Sequence, residues 1–248
     1  MEEINWGEKR GVADEAHWNI FVPRSGGDLV APKIKREGVL NADYMFPDAK
    51  VLIEHKLFET EFASSKEFRT RFNALLEKYP DIDPLDKNGV LYRELIKLLI
   101  KPLRRIITKA NKQIRATKLE LGLNDWSGIL LCVNDGFREV RPELVIGTLS
   151  HILAGTHFSS INAFIYLTNH FVEMPDSPYA MLFWHAAYSP EASDDLSEFV
   201  NDLGRKWRDF TVEQSDLDLG FSEEIDQVDL SQMSVVTGSK RNTPYTGE

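Results

Sequence analysis

One cysteine in 248 residues leaves no partner for an intramolecular disulfide. Cys132 sits inside the apolar run GILLCV, where a buried, inert thiol is expected rather than a nucleophile. No run of 18 or more apolar residues exists, which excludes a membrane-spanning helix of ordinary length. The N-terminal MEEINWGEKRG is polar and acidic where a secretory signal needs an apolar stretch, so a cytoplasmic protein without a membrane partner is expected. Internal repeats are missing too, and nothing marks a fibrous or collagen-like chain. What remains is ordinary: 42% hydrophobic and 27% charged residues, enough for one sizeable α/β domain and a tail.

Charge is unevenly spread. The net charge of -10 argues against nucleic acid only if averaged over the chain. From Lys97 to Lys118 there are eight Lys or Arg and no acid, whereas Glu191 to Asp229 holds thirteen acids against three bases. The basic stretch is either a solvated helix face or a phosphate-contacting surface, with Lys101, Arg105 and Lys112 as the candidate contacts. Phosphate contacts would position a duplex without reading its sequence, and binding would fall steeply with salt.

Periodicity places the elements. VADEAHWNIF has weak helical character, and the segment from Gly38 to Phe58 alternates and breaks once at Pro47-Asp48-Ala49, as a β-hairpin does. Phe68, Phe72, Leu75 and Leu76 recur at helical spacing before YPDIDPLDKNG ends that helix. A second helix is expected from Val90 to Leu121, bent or divided at Pro102. WSGILLCVND reads as a buried strand, Arg141 to Leu153 as a helix, and INAFIYLTNHF and YAMLFWHAAY as two strands. Residues 1–190 are expected to form the main domain, 191–212 an acidic amphipathic helix docking on it, and 213–248 an acidic, loose tail. The fold class is α/β, a central mixed sheet with a hairpin meander flanked by helices.

The hairpin carries the chemistry. On a strand Glu54 and Lys56 project to one face about 6 to 7 Å apart, with His55 on the other. Burying such charges is costly unless they pair or hold a metal. If the turn is Asp48-Ala49 or the four residues Pro47 to Lys50, Asp43 lies opposite Glu54; if it is Pro47-Asp48, Asp43 lies opposite Leu52. Either of these even-length loops leaves it on the Glu54 face, whereas a three-residue loop would put it on the other. Asp48, which follows a proline, falls at the hairpin tip and reads as turn chemistry. Two adjacent carboxylates repel unless a hard cation such as Mg²⁺ or Mn²⁺ lies between them, and such a cation could activate water against a phosphate.

Asp43, an apolar hairpin and Glu54-His55-Lys56 resemble the PD-(D/E)XK nuclease superfamily, whose restriction-endonuclease-like core runs helix, three-stranded meander, helix, strand. The resemblance covers about residues 10 to 135, with further elements to about 190. It implies that Asp43, Glu54 and the backbone carbonyl of His55 hold Mg²⁺ or Mn²⁺ and that Lys56 is the catalytic lysine. It further implies Glu15 as an acid from the first helix, and Lys109 and Gln113 as supporting groups one helical turn apart. Asp43 follows Ala42 rather than a proline, a departure from the literal motif. The expected function is a metal-dependent nuclease hydrolysing phosphodiester bonds in DNA. The alternative is a nuclease-fold module that binds nucleic acid or a partner without turnover, and a third is a structural protein whose hairpin charges form an ion pair. A homodimer or a protein partner is compatible with the sequence. The other histidines, His17, His151, His157, His170 and His185, lack ligand spacing and are expected in core or surface roles.

Overall fold

The computed structural model describes residues 5–12, 14–58, 65–84, 86, 88–135, 138, 140–155, 157–174, 180–215, 230 and 233–236. Helix α1 (Glu15–Arg24) starts where Asp14 accepts the His17 amide and stops at Ser25, followed by Gly26 at φ +93. Strands β1 (Asp28–Leu29), β2 (Tyr44–Phe46) and β3 (Val51–Leu57) then form an antiparallel meander. The β2–β3 turn is the four residues Pro47 to Lys50, closed by the Lys50 amide on the Pro47 carbonyl at 3.1 Å.

Two helices carry the chain over to the next strand. Helix α2 (Lys66–Lys78) is capped by Ser65, and α3 (Val90–Leu121) runs 32 residues to the left-handed Gly122. Pro102 does not divide α3 as the sequence suggested. Proline removes a single helical hydrogen bond, and nine buried residues along the stripe from Leu91 to Thr117 hold the helix together against that loss. Strand β4 (Ser127–Asn134) lies parallel to β3, and helix α4 (Pro142–Leu153) leads to β5 (Ala163–Thr168), parallel to β4. Gly128 is required at the start of β4, because a Cβ there would lie 2.0 Å from the Ser160 carbonyl oxygen.

The end of the sheet departs from the expected pair of strands. Val172–Glu173 is a short β6, and the segment read as one strand over YAMLFWHAAY is two, β7 (Ala180–Met181) and β8 (Trp184–Tyr188). The break falls at Leu182-Phe183, where the Thr168 hydroxyl takes the Phe183 amide at 3.0 Å in place of a ladder bond. Strand β8 closes the main sheet antiparallel to β5, giving the order β1-β2-β3-β4-β5-β8. Helix α5 (Asp194–Gln214) follows, and β9 (Ser234–Val235) joins β6 and β7 in a three-stranded sheet. Part of the segment expected to be loose is therefore paired, with Met233 and Val236 buried beside β9. Residues 216–229, 231–232 and 237–248 of that tail lie outside the described residues.

Alternation along the strands splits the core into two layers. Leu52, Leu130, Cys132, Phe164 and Tyr166 face α3 and α4, while Val51, Ile53, Leu131, Val133 and Ile165 face α1 and α5. Helix α5 is no late addition to a finished domain. Its Leu196, Val200, Leu203, Trp207 and Phe210 share one cluster with Trp18, Phe21 and Val22 of α1, and Trp207 stacks on Trp18 at 3.9 Å between ring centroids. The thiol of Cys132 is buried and pushed well above its usual range by desolvation, in keeping with an inert core residue.

Candidate active site

The hairpin register settles which acid meets which. Tyr44 pairs with Ile53, so the residue before it, Asp43, stands across from Glu54. Its backbone is fixed from both sides: the Asp43 amide donates to the Ile53 carbonyl at 3.1 Å, and its own carbonyl accepts from Val30 at 2.9 Å. Asp43 Oδ2 takes the His55 amide at 2.7 Å, which turns the carboxylate over the end of β2 toward β3. In a strand the carbonyl of a residue points the same way as its amide, so the His55 carbonyl faces the same edge.

Glu54 and Lys56 lie on the α3 face of β3, and Lys56 Nζ is 2.5 Å from Glu54 Oε1. Glu54 has no exposed surface and the Lys56 side chain keeps 8%, whereas Asp43 is half-buried. Asp43 is thus the rim of the site and Glu54 its floor. Burial foremost, and then the negative charge of Asp43, push Glu54 up to about 8; Lys56 and Lys109 oppose the rise. Asp43 is raised as well, by burial against the pull of the His55 amide and Lys56. The two carboxyl groups stand across from one another with no donor between them among the described residues, and each is pushed toward its neutral form.

This donor set suits a hard divalent cation: two carboxylates and a carbonyl, all oxygen. Among the described residues, no donor beyond the Lys56 ammonium satisfies either buried Glu54 oxygen, and a cation would supply the missing positive charge. Among the described residues no group of three or more His, Cys, Asp or Glu side chains could hold a metal. Glu15, on the first turn of α1, is exposed; its charge reaches Asp43 and Tyr44 without completing a ligand trio.

The remaining sequence candidates separate by helix face. At about 100° per residue, Lys101, Arg105 and Lys112 share one exposed face of α3, opposite the buried Leu99, Leu103 and Ala110. The structure does not bring these three cations to the carboxylates. Lys109 is turned toward the flank that holds Gln113, and its charge is felt at Glu54. Gln113 Nε2 donates to the Asn41 carbonyl at 3.0 Å. The His55 imidazole points away from the site and packs between Trp18 and Tyr44, at 6.1 and 6.4 Å, where burial pulls it down to about 4. Asp48 is exposed in the turn, as expected of turn chemistry.

Thr117, near the site, was not among the candidates the sequence offered. Thr117 Oγ1 accepts the Ala42 amide at 2.8 Å, one residue before Asp43. Gln113 and Thr117 are polar residues four apart on the inward side of an otherwise apolar stripe, and that interruption was the available signal. Asn134 is the last residue of β4, and its Nδ2 donates to the Tyr166 hydroxyl at 2.8 Å in a fully buried pair. Compared with protein-family models, curated proteins and solved structures, the chain matches none, so its chemistry has to be read from the side chains around Asp43, Glu54 and Lys56.

Proposed function

We propose that the protein is a divalent-cation-dependent phosphodiesterase on a restriction-endonuclease-like fold, hydrolysing nucleic acid and most simply DNA. One observation carries this reading: Asp43 and Glu54 converge from neighbouring strands, with the Lys56 ammonium against Glu54. The order of α1, meander, helices and β4 agrees with it. Asp43, Glu54 and the His55 carbonyl would hold Mg²⁺ or Mn²⁺. When bound, such a cation supplies a Lewis acid for a phosphate oxygen and lowers the pKa of a water molecule. Asp43, at the solvent-facing rim, would orient a water for in-line attack on phosphorus, the water giving up a proton as the ester P–O bond breaks and the departing oxygen taking one up. Lys56 favours the ionised form of Glu54 against its burial and places positive charge where the phosphate becomes more negative. The exposed cations of α3 steer the polyanion from the far side of the helix.

The test is cleavage of end-labelled DNA and RNA with Mg²⁺ or Mn²⁺, beside Lys56→Met, which keeps the length of the buried side chain. The variant should lose at least about 100-fold in turnover while keeping its metal-induced rise in melting temperature. Unchanged turnover in Lys56→Met would refute the assignment. A second reading, a nuclease fold that binds without turnover, is favoured by the complete burial of Glu54 and its pairing with Lys56. Salt-sensitive binding of nucleic acid with no metal-dependent cleavage would select it.

A further inference from the structure

We infer that Thr117 is a positioning residue, which sets the Asp43 carboxylate over Glu54 by fixing Ala42, the residue that leads into it; the inference rests on the proposed cation site. The chain enters β2 through Asn41 and Ala42, and α3 grips both. Thr117 Oγ1 accepts the Ala42 amide at 2.8 Å and donates to the Gln113 carbonyl at 3.0 Å, while Gln113 Nε2 donates to the Asn41 carbonyl at 3.0 Å. Thr117 and Ala42 have no exposed surface, so no water can take over the bond.

The location of this grip gives it leverage. Downstream, Asp43 is tied to β1 and β3 through Val30 and Ile53. Upstream, the backbone has no ladder partner, because β2 begins only at Tyr44. The α3 bonds replace the missing ladder and hold the Asp43 Cα at one height above the sheet. The carboxylate, held in turn by the His55 amide, is then kept on the Glu54 side of the strand end. Thr117 touches neither carboxylate and acts through the backbone alone.

Thr117→Val, which keeps the shape and deletes the hydroxyl, tests this against Thr117→Ser, which restores it. The first readout is hydrogen exchange at the His55 amide, the donor to Asp43, compared with Ile165 in β5, which reports global opening. Thr117→Val should speed exchange at His55 by about tenfold with Ile165 unchanged, and Thr117→Ser should restore protection. The second is the Mg²⁺ concentration giving half the metal-induced rise in melting temperature, which should increase about tenfold in Thr117→Val and return in Thr117→Ser. Equal acceleration at His55 and Ile165 would mean a merely structural role and overturn the inference, as would wild-type values at both readouts. Should the wild type show no response to Mg²⁺ at all, the cation site fails, while exchange at His55 still decides the role of Thr117. If Thr117→Val does not fold, Thr117→Cys, with a weaker acceptor of similar size, should shift both readouts partway; wild-type behaviour there would overturn the inference.

Discussion

Replacing Glu54 by glutamine should make the cation-free protein more tolerant of alkaline pH. Glu54 is fully buried and its pKa rises from 4.5 to about 8. A raised carboxyl pKa means that the folded state keeps a proton the unfolded chain would release. This group's contribution to stability is therefore intact below pH 4.5 and is lost as the pH rises through 8. At 1.36 kcal/mol per unit, the loss between pH 5 and pH 7 is about 3 kcal/mol and its ceiling about 5 kcal/mol. Asp43 titrates jointly with Glu54 and shares part of this. Glutamine carries no such slope. Urea unfolding in EDTA from pH 5 to 8 measures it: wild-type stability minus that of Glu54→Gln should fall by about 3 kcal/mol between pH 5 and 7. Mg²⁺ at ten times its Kd should return about 1.4 kcal/mol to the wild type and nothing to the variant. Parallel pH curves, or equal stabilisation of both proteins by Mg²⁺, would refute the placement of a strained carboxylate and a cation at Glu54.

Further outcomes follow from other parts of the molecule. Reversing Lys101, Arg105 and Lys112 together to Glu should weaken binding of a labelled duplex and lower the salt slope by about 3, read by fluorescence anisotropy from 50 to 200 mM salt; an unchanged slope would show that this face does not meet phosphates. Trp207→Ala removes the ring stacked on Trp18 and should cost about 3 to 5 kcal/mol, or about 10 °C in melting temperature. A loss below about 1 kcal/mol would mean that α5 packs elsewhere. His170 is buried beside Arg10, and burial together with that positive charge lowers its pKa from 6.5 to about 4. Its contribution is intact above pH 6.5 and lost as the pH falls through 4, about 2 kcal/mol by pH 5; an NMR titration with its midpoint near 6.5 would contradict this.

Much of this was legible in the sequence, for physical reasons that differ by element. The alternation of β3 and an even-numbered turn were enough to place Asp43 on the Glu54 face, because strand side chains have a period of two. The stripe of α3 was legible for the same kind of reason, at a period of 3.6. Whether Pro102 breaks that helix was not, since the answer depends on packing against the sheet and α4. Strands β7 and β8 part because one pairs with β6 and the other with β5 in a different sheet, and the pairing of β9 with β6 joins residues more than fifty positions apart. The depth of Glu54 was hidden too: a charge two residues from an ammonium looks the same in sequence on a surface or in a core.

The stack of Trp18 on Trp207 bears on how the protein is made. Synthesis proceeds from the N-terminus, so α1 emerges with one side of its aromatic surface bare, and the ring that covers it arrives almost two hundred residues later. Until α5 leaves the ribosome, the α1 side of the sheet presents Trp18, Phe21 and Ile53 to water or to a chaperone. Completion of this layer is a late event, and a message cut short before α5 yields a chain whose carboxylates stand on an unfinished floor.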